Sequence, residues 1–225
     1  NIMRIVELGS TSSKDIILMF RTFVQFLTEY VNNAATNNMV NIFLDDFSSS
    51  FGYQFFVDFA NRLEQLNEPE LLAELLSLTH QFTKVGVSVL KPRPLSVNQV
   101  FIIENFTIPK PSTKNTIRNL KAFNILLSLW GRSKTDFLQE LILETVLNIY
   151  KEEKANYFIL EGQNTLSSFA ERLEEKSDVI QIKYYTLLEH VVSELNYVPC
   201  KELITVSIIL KNRHSSQSMI YCLKS

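Results

Sequence analysis

Apolar residues recur every three or four positions along much of this chain, a spacing that places them on one face of a helix. In the first part of the chain this pattern predicts helices over residues 13–31, 52–66 and 69–90. Pro69 lies at a first-turn position, where proline is well tolerated. A short apolar stretch, MVNIFLDDF, lies between the first two of these helices.

The same spacing returns in the second half. It predicts helices over residues 116–130, 134–153, 165–176, 179–196 and 200–211, and the start of one more from residue 214. Gly131 is a plausible end for the first of these, and NYFILEG (156–162) is predicted as a short connector. No stretch shows the alternation that a half-buried strand needs. The pattern therefore predicts an all-α protein of about ten helices.

A proline-rich stretch interrupts the helical pattern at residues 91–115. It holds four of the six prolines of the chain: Pro92, Pro94, Pro109 and Pro111. Proline lacks a backbone donor and restricts the residue before it, so this stretch is predicted as a long loop insertion. Its apolar portion, VFIIENF, is expected to lie as a short extended segment on a core. Loops of this length are often functional.

One thirteen-residue segment of the sequence occurs twice in similar form. Residues 52–64 (GYQFFVDFANRLE) and 162–174 (GQNTLSSFAERLE) coincide at six of thirteen positions, 110 residues apart. That spacing equals about three units of a helical-repeat protein, whose repeats are commonly about 35–45 residues long. The pattern favours an armadillo- or HEAT-like right-handed helical solenoid. Chance similarity between two amphipathic helices is the alternative.

The repeat also makes predictions about individual positions. A glycine is expected at a sharp reversal before each helix. In each copy the phenylalanine is expected on the inner face, the alanine where helices approach closely, and the arginine at the outer edge. The corresponding pairs are Phe59 and Phe169, Ala60 and Ala170, and Arg62 and Arg172.

Composition agrees with a helical protein. Of 225 residues, 46% are hydrophobic, whereas only 5 are Gly and 6 are Pro. The net charge of −2 argues against nucleic-acid binding, which needs a basic surface. Two cysteines, Cys200 and Cys222, suit a reducing, cytoplasmic compartment. No signal peptide or membrane span is predicted, and the chain is expected to be a fragment of a longer one. We treat residues 1–225 as one domain.

The residues that could carry chemistry are scattered. His80, His190 and His214 have no ligand spacing between them, so structural or solvated roles are favoured over metal binding. Cys200 at a helix start could have an activated thiol, but a buried small residue is the simpler interpretation. Asp45 and Asp46 are adjacent, so their side chains point in different directions on a helix. This favours a solvent-exposed helix end over a pair of carboxylates for acid–base catalysis. No nucleotide-binding or hydrolase motif occurs. We expect no catalysis, no cofactor and no metal.

Charge is unevenly distributed. Residues 84–121 hold seven basic residues and one acidic residue, Glu104, so a basic stretch lies in an acidic chain. Such a stretch suits an acidic protein partner or an anionic lipid surface. A solvated loop without a partner is the alternative. The predicted interaction residues are Lys91, Arg93, Lys110, Lys114 and Arg118.

Three long stretches resemble a known family: VGVSVLKP (85–92), the block IRNLKAFNILLSLWGRSKTDFLQELILETVLNIY (117–150), and KANYFILEGQNTLSSFAERLEEK running on to ELNYVPCKELITVSIILK (154–211). Together they resemble the N-terminal helical region of the very large BEACH-domain proteins, in particular the type with WD repeats and a FYVE domain known as the autophagy-linked FYVE, or Alfy, type. LDDFSSSFGYQFFVDFANRLEQ (44–65) resembles the matching segment there.

The resemblance implies a scaffold in membrane trafficking or selective autophagy, with an armadillo-like fold and protein partners. It also implies a cytoplasmic location that is peripheral to membranes or autophagic structures through other parts of a longer chain. No lipid- or cargo-binding residue can be carried over onto these 225 residues. Direct binding to an anionic membrane through the basic loop, and a purely structural spacer or dimerisation segment, are the alternative functions.

Overall fold

The computed structural model describes residues 11–32, 37–92, 106–112, 114–162 and 164–212. Within these ranges the chain is helical and contains no strand, which confirms the all-α prediction. The chain divides into two compact units. The first unit comprises residues up to Val89 together with Ile117–Leu138, and the second comprises Leu90–Thr116 together with the residues from Gln139 onward. The solenoid and the single domain stay predictions.

The described residues of the first unit contain five complete helices. They are α1 (Ser13–Asn32), α2 (Asn37–Ser49), α3 (Gly52–Gln65), α4 (Pro69–Thr83) and α5 (Leu120–Arg132). Helix α4 packs against α1, α3 and α5, and α3 also packs against α5. These contacts bury the apolar faces that the spacing predicted.

Aromatic rings fill the centre of the first unit. The ring of Phe56 lies 4.1 Å from that of Phe20 and 5.9 Å from that of Phe82, measured between centroids. Phe47 contacts Phe82 at 5.6 Å and Phe23 at 5.1 Å. Two of these pairs are stacked, one is tilted and one is edge-on. Stacked and edge-on pairs are arrangements that aromatic rings prefer.

Helix α6 (Asp136–Glu152) begins in the first unit and continues into the second. The second unit then contains α7 (Ala155–Glu161), α8 (Thr165–Ala170), a short 3-10 helix (Leu173–Glu175), α9 (Asp178–Leu195) and α10 (Cys200–Asn212). Helix α8 packs against α7 and α10. At the centre, the Tyr157 ring lies 5.4 Å from Tyr150, 5.0 Å from Phe158 and 5.5 Å from Tyr197.

The predicted helix over residues 69–90 is too long, because α4 ends at Thr83. The carbonyl oxygen of Thr83 accepts hydrogen bonds from the backbone N–H groups of Arg118 and Asn119, both at 2.9 Å. Those two residues directly precede α5. The end of α4 is therefore completed by a distant segment, and helix periodicity carries no signal of such a contact.

Three other element boundaries also differ from prediction. Helix α5 begins at Leu120, because the Asn119 side chain accepts a hydrogen bond from the Ala122 N–H at 3.0 Å and caps the helix there. Gly131 lies inside α5 rather than ending it. The predicted connector NYFILEG is helical, as residues Ala155–Glu161 form α7.

The two copies of the repeated sequence agree in burial but not in backbone path. In both, the phenylalanine and the alanine are buried, and Arg62 and Arg172 are exposed. Their placement on the inner face and outer edge of a solenoid stays a prediction. The first copy continues as one helix through Gln65. In the second copy the helix ends at Ala170, and Arg172 adopts a left-handed conformation with φ of 57°.

The predicted role of Gly52 in a reversal is wrong, because the left-handed residue at this turn is Phe51, with φ of 56°. Gly52 instead allows a close approach. A Cβ atom at this position would lie 2.5 Å from the ring of Phe47. Glycine is needed here for space rather than for its conformational freedom.

In the described part of the chain, no helix is both long enough and apolar enough to span a bilayer.

Candidate interaction site

Three of the five predicted interaction residues are exposed in the second unit. Lys91, Lys110 and Lys114 present their side chains to solvent and belong to Leu90–Thr116. Arg93 lies outside the described residues. We refer to residues 91–115 as the basic segment. Its described portions form neither helix nor strand, consistent with the loop that its prolines predict.

The C-terminal half of the basic segment is attached to the second unit. The ring of Phe106 lies 5.7 Å from Phe158 and 5.9 Å from Tyr197. The backbone N–H of Ser112 donates to a Glu153 carboxylate oxygen at 3.3 Å. These contacts hold the chain on both sides of Lys110 against the body of the unit.

Asn156 makes a second attachment. This residue is buried at the start of α7, and its side-chain amide donates to the carbonyl oxygens of Asn115 at 3.1 Å and Ile149 at 2.9 Å. Lys114 directly precedes Asn115, so this attachment fixes the backbone next to an exposed ammonium group. Lys110 and Lys114 thus project from backbone that the fold holds in place.

Arg118 has a different environment. It belongs to the first unit and is partly buried, and its guanidinium donates to the carbonyl oxygen of Gly86 at 2.9 Å. A Cβ atom on Gly86 would lie 2.9 Å from the Cβ of Arg118, so glycine permits this close packing. Arg118 therefore helps to join the end of α4 to the start of α5. Its role in contacting a partner stays a prediction.

The first unit carries an open groove beside Phe51. The groove has a volume of about 320 Å³. Phe51 is its exposed apolar side chain, and Val57 and Ile125 lie buried beneath it. Its polar lining comes from α3, α5 and the end of α2, and includes Ser48, Gln54, Lys121, Asn124 and Ser128. No acidic side chain is among the lining residues. We call this feature the Phe51 groove.

The second unit buries two carboxylates among tyrosines. Glu202 on α10 is almost completely buried and accepts a hydrogen bond from the Ser167 hydroxyl at 2.6 Å. Burial, followed by repulsion from Glu202, raises the pKa of Glu161 to about 7. One carboxylate oxygen of Glu161 and the Tyr157 hydroxyl are buried without a hydrogen-bond partner among the described residues.

The other candidate residues lie apart. Asp45 and Asp46 are exposed. The Cys200 thiol is half-buried, and it donates to the Val198 carbonyl oxygen at 3.5 Å. His214 and Cys222 lie outside the described residues. In the ranges that the structure describes, no three His, Cys, Asp or Glu side chains form a group suited to a metal.

His190 lines a cleft of about 440 Å³ in the second unit, together with Lys151 and Lys154. Burial, followed by the nearby charges of those lysines, lowers the pKa of His190. A positive charge on the imidazole is thus disfavoured in this cleft.

Sequence reasoning found neither the Phe51 groove nor the buried carboxylates. Both depend on contacts between residues far apart in the chain. Glu161 and Glu202, for example, are 41 positions apart and carry no shared motif. The only local signal was Phe51 itself, an apolar residue placed where the repeat predicts a turn.

Two proteins named for WD repeats and a FYVE domain are similar to this chain. The chain is 28% identical over 185 residues to WD repeat- and FYVE domain-containing protein 4 of Homo sapiens, which covers 80% of the chain and 6% of that protein. It is 29% identical over 160 residues to the protein of the same name from Mus musculus, which covers 70% of the chain and 5% of that protein. This similarity confirms the resemblance to large proteins of the WD-repeat and FYVE-domain type.

The chain therefore spans only about 6% of the length of the relatives it matches. No protein-family model matches the chain. No solved structure matches it either.

Proposed function

We propose that this chain is a non-catalytic protein-interaction module of a large BEACH-type protein that acts in membrane trafficking or selective autophagy. The observation that carries the proposal is the similarity over 80% of the chain to a relative of which it covers only 6%. A WD-repeat and FYVE-domain protein of that size has most of its length elsewhere. A helical segment within it suits a scaffold role, since helical repeats commonly serve as extended binding surfaces.

The basic segment is the proposed contact, with an acidic partner surface opposite it. Lys91, Lys110 and Lys114 are exposed, and Phe106, Ser112 and Asn115 hold the backbone around the last two. Exposed charges on fixed backbone give both attraction and orientation toward a partner of opposite charge. The proposed setting is cytoplasmic, and membrane association would come through other parts of the longer protein.

Affinity capture with matched charge variants tests this proposal. The test variant is Lys91→Glu, Lys110→Glu and Lys114→Glu together. The control is Lys14→Glu, Lys134→Glu and Lys211→Glu, which reverses three other exposed lysines. Both variants have the same net charge, so a loss of partners that is confined to the first variant is due to the position of the charges and not to their sum.

Vesicle binding distinguishes the main alternative, direct binding to a membrane, from binding to a protein partner. The same three proteins are sedimented with phosphatidylcholine vesicles that contain or lack phosphatidylserine. Specific protein capture without vesicle binding supports the adaptor function. Binding to anionic vesicles that only the test variant loses would instead assign the basic segment to a membrane surface. Absence of both would favour a spacer or dimerisation segment.

A further inference from the structure

Phe51 has an unusual combination of conformation and exposure. Its backbone is left-handed, with φ of 56° and ψ of 25°, just before α3 begins. Its side chain is 76% exposed. A bulky residue in this conformation is strained, and burial in the unit's own core does not compensate the strain here.

Other left-handed positions of the described chain contrast with Phe51. Three of them are Asn67, Asn164 and Asn196. Asparagine tolerates this conformation because its short polar side chain bonds locally. Asparagine would therefore be less strained than phenylalanine at the turn before α3. A phenylalanine at this position has no structural advantage within the unit, which points to a contact outside it.

The charge of the Phe51 groove indicates the charge of the partner that would make this contact. The Lys121 ammonium lies in the lining and bonds to the Ser48 hydroxyl at 2.9 Å. No described carboxylate forms an ion pair with it. The Asp58 carboxylate accepts a hydrogen bond from Gln54 of the groove and also pairs with Arg132. The groove thus presents one positive charge that forms no ion pair with a described carboxylate.

The remaining lining fits a peptide backbone. The exposed side-chain amide of Asn124 makes no hydrogen bond within the described residues, and Ser128 lies one turn further along α5. Both can pair with backbone amides of an extended segment. The volume of about 320 Å³ lies at the lower end of the range for small-ligand pockets, and it suits a few residues rather than a folded domain.

We propose that the Phe51 groove binds a short linear peptide in which an acidic residue lies next to a large apolar residue. The apolar side chain packs on Phe51, and the acidic side chain pairs with Lys121. Asn124 and Ser128 bond the peptide backbone. This site uses none of the residues of the basic segment, and its test does not depend on them.

A displayed library of random 12-residue peptides tests the proposal. The library is selected on the 225-residue chain, without prior depletion on any variant. Enriched peptides should carry Asp or Glu within a few positions of Leu, Ile, Met or an aromatic residue. Their affinities for the chain and its variants are then measured by fluorescence anisotropy.

Two variants separate binding from folding. Phe51→Asn should lower the affinity at least about tenfold, as expected for loss of a central apolar anchor. Its unfolding temperature should stay unchanged or rise, because asparagine suits the left-handed turn. Lys121→Glu should lower affinity similarly, whereas Lys121→Arg should retain most of it. The triple glutamate variant of the basic segment should bind the peptides like the unchanged chain.

Several outcomes would overturn the proposal. One is a selection that enriches no peptides, and another is enriched peptides without acidic residues. Equal binding to Phe51→Asn would place the peptide elsewhere. Sedimentation of the chain alone provides the last check: self-association that Phe51→Asn abolishes would make a second copy the occupant of the groove.

Discussion

Glu161 shows how a single buried charge couples the second unit to pH. Burial and the carboxylate of Glu202 raise its pKa to about 7, while Lys201 opposes that shift in part. Tyr150, Tyr184 and Tyr197 also lie in this surrounding, and their phenols stay neutral because burial raises their pKa values. The folded unit therefore favours the protonated form of Glu161.

We predict that the second unit loses stability as the pH rises from about 4.5 to about 7. Because the folded pKa of Glu161 is raised, the folded state binds more protons than the unfolded state in this window, and the free energy of unfolding falls. The loss is on the order of 2 kcal/mol. Urea unfolding between pH 4.5 and pH 8 measures it.

Glu161→Gln should remove this pH dependence and should be more stable than the unchanged chain at pH 8. Glu171→Gln, at an exposed glutamate close in sequence, is the control and should follow the unchanged chain. Parallel curves for the chain and Glu161→Gln would show that Glu161 ionises normally in the folded unit.

The side chain of Asn156 binds backbone outside its own helix, at Asn115 and Ile149. We predict that Asn156→Ala lowers the free energy of unfolding by about 1–3 kcal/mol, because the Asn115 and Ile149 carbonyl oxygens lose the buried amide that donates to them. Asn148→Ala, at an exposed site on α6, should change it by less than about 0.5 kcal/mol. Equal effects would mean that the attachment of the basic segment adds no stability.

At the scale of the elements, substitutions at two glycines distinguish the effect of packing on stability from the effect of helix propensity. We predict that Gly52→Ala destabilises the chain by about 1–3 kcal/mol, because its Cβ would lie 2.5 Å from the Phe47 ring in a packed aromatic cluster. Gly131→Ala, inside α5 with no atom within 4 Å of the added Cβ, should stabilise it by about 0.5–1 kcal/mol. Thermal unfolding of both variants provides the comparison, and a stabilised Gly52→Ala would contradict the packing argument.

The longer amphipathic helices could be predicted from sequence because their apolar spacing is local, whereas α2 and α7 were not predicted as helices. Helix ends could not be predicted where a distant residue completes them. The end of α4 at Thr83 depends on N–H groups of Arg118 and Asn119, more than thirty positions away. The backbone break after Ala170 is a related case, since Ala60 occupies the same place in the repeat and lies within a continuous helix.

The candidate sites also combine features that the sequence predicts with features that depend on tertiary contacts. Charge and proline content were enough to expect that Lys91, Lys110 and Lys114 would be exposed. Their attachment through Phe106 and Asn156 was not predictable, since it depends on tertiary contacts. The left-handed conformation of Phe51 was also not predictable, because the neighbouring Gly52 is the residue that local rules assign to such a turn.

At the scale of the whole molecule, a net charge of −2 conceals an uneven distribution. Residues 84–121 carry seven basic residues and one acidic residue, and the rest of the chain is acidic. A net charge near zero gives weak long-range attraction to any partner, so selectivity must come from the local stretch. Charges on such a stretch act over about 10 Å at 0.1 M salt and about 3 Å at 1 M.

We therefore predict that the affinity for a protein captured through the basic segment falls at least several-fold between about 0.1 M and 0.5 M salt, because screening removes attraction between exposed charges. The variant with glutamate at Lys91, Lys110 and Lys114 should show weak binding and little salt dependence. The variant at Lys14, Lys134 and Lys211 should keep the salt dependence of the unchanged chain, although its net charge equals that of the first variant. Surface plasmon resonance across this salt range measures all three proteins. If the two variants behave alike, overall charge rather than the basic segment governs binding.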